Sequence, residues 1–149
     1  MTMAEQGLSA AHAEVKAEIA RTDTKTGLLL AFVGAVLAGA WTVARDLPLT
    51  VPAAVVGGCG IATLLGAVGT LLSSVRPNLG GGCGFPHWAT LSPEEIRADL
   101  AADRYAQDIA GLARIAVVKF TALRRAVDLT RFGGALLILA VLLSLGGAA

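Results

Sequence analysis

The chain has 149 residues, of which 55% are hydrophobic and 15% charged, and its net charge is +1. A mean hydropathy of +0.70 excludes an ordinary soluble domain, whose apolar share is nearer ~45–50% with ~25% charged. The near-neutral total gives no support to a nucleic-acid surface, and the cysteines Cys59 and Cys83 cannot build a disulfide framework.

Residues 1–26 are polar and of mixed charge, with Leu8, Val15 and Ile19 recurring at spacings of seven and four among Glu14, Lys16, Glu18 and Arg21. That period predicts an amphipathic helix, with Ser9 or a neighbour as its cap. Gly27 to Ala44 then holds no charge for 18 residues, a length of ~27 Å as a helix, close to the hydrocarbon thickness of a bilayer. No proline precedes Pro48, so one helix is expected to run unbroken from about Leu8 to Arg45. Asp23 and Lys25 fall at the membrane surface, and Trp41 suits the opposite interface. The uncharged stretch is too long for a cleaved signal core, and the segment is expected to stay as an anchor.

Arg45 to Pro48 forms a short turn. A second span follows over about 51–75, with Thr50 as N-cap and Pro52 in its first turn. Gly58, Ala62, Gly66 and Gly69 or Thr70 recur at three- and four-residue steps, the pattern by which membrane helices approach closely.

Residues 76–91 form a glycine-rich loop containing Gly80, Gly81, Gly82 and Gly84. No Gly-Lys-Ser/Thr follows, so a flexible connector is a better reading than a phosphate cradle. Cys83-x-x-x-His87 lacks a second pair of metal ligands.

Ser92-Pro93-Glu94-Glu95 carries a capping box at the start of a helical stretch over 92–131. Ile109, Leu112, Ala116, Phe120, Leu123 and Val127 describe a packing seam along it. Gly111 is the expected site of any bend. Residues 132–149 are uncharged and long enough for a third span.

The expected fold is therefore all-α, with three transmembrane helices, the first and third continuing into a helical region outside the bilayer. Of the twelve basic residues only Arg45 lies on the side of the turn near residue 46 and the C-terminus. The positive-inside rule places the remaining eleven, the N-terminus and the helices of the polar region in the cytoplasm, and the C-terminus outside.

Two charged helices, each leading into a span, suggest a mechanical device. Arg21, Asp23 and Lys25 rise from one; Arg104, Tyr105, Asp108 and Lys119 rise from the other. Lys119 has apolar neighbours at Ile115 and Leu123, so its stem is expected along a packed face, and Asp108 lies eleven residues earlier on the same stripe. Such a set can bind an anion, with Tyr105 stacking on a base. The plainer alternative is solvated salt bridges and affinity for anionic lipid headgroups. His12 and His87 have no evident nucleophile or metal partner, so neither a catalytic nor a metal site is expected.

Arg21-Thr-Asp-Thr-Lys-Thr-Gly-Leu-Leu-Leu at the foot of the first span resembles the transmembrane effector family of bacterial Pycsar anti-phage systems. So do Arg76-Pro-Asn before a glycine-rich loop, Trp88-Ala-Thr-Leu before a proline-started helix, and Ala116-Val-Val-Lys-Phe before the last span. Asp23 and Lys25 match that family's Asp-x-Lys, and Lys119 its lysine ahead of the final span. The resemblance implies a homo-oligomeric effector in the inner membrane that impairs the bilayer when a companion cyclase makes cyclic CMP or cyclic UMP. It implies no enzyme activity and no cofactor beyond that nucleotide ligand. A different reading is a constitutive membrane scaffold whose seam from Ile109 to Val127 docks a partner protein.

Overall fold

The computed structural model describes residues 3–46, 50–76, 89–101 and 105–146, with side chains described for 6–46, 50–76, 89–99 and 106–146. Four helices make up the regular structure of these residues: α1 (Met3–Asp46), α2 (Val51–Val75), α3 (Pro93–Ala101) and α4 (Tyr105–Gly146). Three of them, α1, α2 and α4, are long and apolar enough to cross a membrane. The 44 residues of α1 and the 42 of α4 each give ~63–66 Å of helix, about twice a bilayer core. The expected uninterrupted first helix is present.

Its start differs from expectation. Because α1 begins at Met3, Ser9 lies inside the helix and caps nothing. Thr50 does cap α2: its carbonyl accepts from the Ala54 N–H at 2.9 Å and its hydroxyl lies 3.4 Å from the Ala53 nitrogen. The capping box of α3 is complete, with the Glu95 N–H donating to Ser92 Oγ at 3.3 Å and the Ser92 N–H to Glu95 Oε2 at 2.8 Å. Those bonds hold the Glu95 carboxyl below its ordinary pKa, the backbone bond from Ser92 being the larger cause. Of the stretch expected as one helix from residue 92, α3 and α4 are helical, residues 102–104 between them lie outside the described residues, and α4 continues unbroken through Gly111.

The chain divides into two compact units. One holds Met1–Arg21 and Arg76–Val118; the other holds Thr22–Val75 and Lys119–Ala149. The second unit contains Val51–Val75, the parts of the other two candidate spans from Thr22 and from Lys119 onward, and, among the described residues, the buried apolar core of Val33, Ala53, Leu64, Ala67, Leu71, Ala126 and Ala140. That core is small for three long helices. Bulky side chains instead point outward, with Leu28 68%, Trp41 67% and Ile138 65% exposed. Contiguous apolar surface on this scale is stable against lipid and not against water.

Helices α2 and α4 meet backbone to backbone. A Cβ built on Gly60 falls 3.1 Å from the Gly133 carbonyl oxygen, and one built on Gly133 falls 2.9 Å from Leu64 Cγ. This contact corrects the expected stripe. Gly58, Ala62, Gly66 and Gly69 are exposed, while Ala53, Gly60, Leu64, Ala67 and Leu71 face inward. Both sets satisfy the same three- and four-residue steps; the choice is made by the partner helix, where Gly133 has no side chain to exclude the approach.

Of the expected α4 seam, Ile109, Leu112, Ala116 and Leu123 are half-buried, and the departures are at two positions. Ala126, Thr130, Gly133, Ala140 and Ser144 are buried, whereas Phe120 and Val127 are exposed. Along the 3–4 pattern the inward position after Ala116 is Lys119 rather than Phe120. Apolar side chains facing lipid carry the same sequence signal as apolar side chains facing a core, so hydropathy alone misplaces the phase.

Candidate functional site

Lys119 enters the spanning unit at the head of that buried seam. Its ammonium Nζ lies 2.6 Å from Asp23 Oδ1 and 2.8 Å from Oδ2. The pair joins α1 to α4 across 96 positions of sequence. The Lys119 side chain is 21% exposed and that of Asp23 46%, so the aliphatic stem is packed while the charges reach water. An ammonium has three donors; with two contacts made to Asp23, one remains for an additional anion.

The position of Asp23 follows from its helix. Thr22 and Thr26, one turn apart, are both buried, and Val33 continues their face of α1. The Thr26 hydroxyl donates to the Thr22 carbonyl at 2.9 Å, and on α4 the Thr130 hydroxyl donates to the Ala126 carbonyl at 2.7 Å. The Thr26 and Thr130 hydroxyls, satisfied within their own helices, are buried without being orphaned. Asp23 sits at the edge of this face, where it meets Lys119 and still sees solvent. Lys25, two residues further along α1, is exposed.

The other sequence candidates are placed separately. Arg21, in the first unit, is exposed and pairs with Glu18 at 3.3 Å one turn earlier. Asp108 is half-buried in that same unit. Arg104 and the side chain of Tyr105 lie outside the described residues, as do Gly80 to Gly84, Cys83, His87 and Trp88. Asp23 and Lys119 were thus each legible as candidates, but not as partners of one another. Their sequence signal is indirect: a charge at the end of the threonine ladder on α1, and another at an inward phase of α4.

Residues 7–146 match the family model described as the Pycsar effector protein domain, PycTM. No curated protein and no solved structure matches the chain. The match covers all three spans and both partners of the ion pair, and the chain belongs to the Pycsar effector family.

Proposed function

We propose that this membrane protein is a signal-gated effector of anti-phage defence, switched by a cyclic pyrimidine nucleotide made by a companion cyclase. The observation that carries the reading is the Asp23–Lys119 pair, which ties the first and last spanning helices where charged helix gives way to apolar helix. The cyclic phosphodiester of cyclic CMP or cyclic UMP is a monoanion. Placed beside Lys119 and Lys25, it competes with the Asp23 carboxylate for the ammonium. Exchange of one anion for the other changes how α1 and α4 are held together.

Because α1 and α4 are each one continuous helix, a change at Asp23 and Lys119 is carried into the apolar segments of the same helices. The ligand needs only to bind one arrangement better than the other. We place the N-terminus and the charged helices in the cytoplasm, by the distribution of basic residues, and the spans in the inner membrane as a homo-oligomer. The action is non-enzymatic: the nucleotide is a ligand, and impairment of the membrane follows from repacking.

The test is binding of cyclic CMP and cyclic UMP to the purified protein in detergent, with cyclic AMP as control. Selective binding of one pyrimidine nucleotide, weakened about tenfold or more by Lys119→Ala, supports direct sensing. Absence of binding by either nucleotide, or equal binding to the Lys119→Ala protein, overturns it. The exposed apolar residues Ile115, Val117 and Val118 of α4 favour the scaffold reading instead; a stable protein partner, with no response to nucleotide, would select that one.

A further inference from the structure

Hydroxyls along the spans donate back into their own helices. Thr42 donates to Ala38, Thr63 to Cys59, Thr70 to Gly66, Ser73 to Thr70 and Ser74 to Leu71, all between 2.7 and 3.1 Å. Ser144 is the exception. It is 1% exposed, and its hydroxyl has no hydrogen-bond partner among the described residues. A buried hydroxyl left unpaired is costly enough to require a reason.

Ser144 lines a cavity of about 490 Å³ between α1, α2 and α4 in the spanning unit. The cavity exists because its walls are made largely of small residues, among them Ala44, Ala53, Ala54, Gly57 and Gly58. On α1 it extends from Val36 to Ala44, ~12 Å along the axis, most of the depth of one leaflet in a ~30 Å hydrocarbon core. Ser144 is the last residue of α4 to line it. It therefore sits at the end nearest the last residues of α1 and the first of α2. Arg45, one residue beyond Ala44, is exposed at that same end.

We infer that this cavity is a binding site for one phospholipid of the leaflet on the Arg45 side. An acyl chain fills the apolar space, its ester carbonyl accepts a hydrogen bond from the Ser144 hydroxyl, and its phosphate lies within the field of Arg45. Each feature matches one part of a single molecule. The wall is apolar where the chain runs, the unpaired donor stands at the interfacial end where ester carbonyls lie, and the cation is one step further toward water. An aliphatic molecule without an acceptor leaves Ser144 unsatisfied, and water alone leaves the apolar wall wet.

The experiment is native mass spectrometry of the full chain, extracted from membranes and gently delipidated, with phospholipid counted per chain. The expected result is about one retained phospholipid on the wild-type protein. Gly58→Leu adds bulk where a Cβ meets nothing within 4 Å, and is expected to reduce retention at least tenfold. Ala62→Leu adds the same bulk on an exposed position outside the cavity and is expected to retain the lipid. Ser144→Ala removes only the donor and is expected to weaken retention about threefold to tenfold. Equal retention by wild type and Gly58→Leu at unchanged helicity overturns the site. So does a lipid-free wild type whose subunit number falls with Gly58→Leu, because a second copy then occupies the space. If Gly58→Leu does not fold, retention unchanged by Ser144→Ala overturns the assignment.

Discussion

Lys119 holds Asp23 through both carboxylate oxygens, at 2.6 and 2.8 Å, and so connects the foot of the first spanning helix to the head of the last. A carboxylate 46% exposed and an ammonium 21% exposed are neither fully solvated nor deeply buried. Their pairing is expected to stabilise the native arrangement by on the order of 1 kcal/mol. Removing Lys119 alone leaves Asp23 without its partner on the boundary of the apolar segment. Such a pair suits a contact that an arriving anion is able to replace.

Thermal unfolding in detergent gives the first check. Asp23→Asn and Lys119→Met each lower stability by roughly 1 kcal/mol, and the double variant loses less than the sum, because both single changes remove one shared interaction. The charge-swapped protein, Asp23→Lys with Lys119→Asp, recovers part of the loss. Additive effects would show that the two side chains do not act together. Raising salt narrows the difference between wild type and the single variants, since the carboxylate is partly open to solvent.

The α2–α4 approach gives a second. Gly133→Leu places a side chain where even a Cβ falls 2.9 Å from Leu64 Cγ and 3.1 Å from the Gly60 carbonyl oxygen. Overpacking at such a contact costs about 1–3 kcal/mol or forces the helices apart. Gly66→Leu, at an exposed position where a Cβ meets nothing within 4 Å, leaves thermal stability within about 0.5 kcal/mol. Destabilisation by Gly66→Leu with Gly133→Leu unaffected would mean that the Gly58–Gly69 face, rather than Gly60 and Gly133, carries the packing.

The start of α3 gives a pH-dependent prediction. The folded pKa of Glu95 lies below its ordinary value of 4.5 because Ser92 donates to its carboxylate. The capping contribution is fully present above the unfolded value and is lost as pH falls through the lower folded one. NMR chemical shifts of residues 93–97 should therefore report fraying of α3 on acidification, starting below pH 4.5. In Glu95→Gln the amide keeps the cap without titrating, and the fraying is reduced. An identical acid response in both proteins would assign it to another group.

Much of the architecture was legible because it rests on charge and chain length. The uncharged run from Gly27 to Ala44 marks a span whatever its neighbours do, and Thr50 and Ser92 cap helices through bonds to residues three or four positions away. The phases were not legible. Val127 and Ala126 are both apolar, and hydropathy does not decide that the smaller one turns inward. The partnership of Asp23 with Lys119 was hidden for the same reason: it depends on the relative register of two helices, which no local pattern encodes. Gly111 illustrates the reverse case, a residue of poor helix propensity carried within a long helix.

The most direct test of ligand-switched spans is release of an encapsulated dye from proteoliposomes containing the full chain. Wild-type protein is expected to release dye on addition of cyclic CMP or cyclic UMP, and to hold it with cyclic AMP. Lys119→Ala is expected to lose the response to nucleotide. Leakage that is the same with and without nucleotide, or a Lys119→Ala protein that responds as wild type does, would contradict a switch built on Asp23 and Lys119.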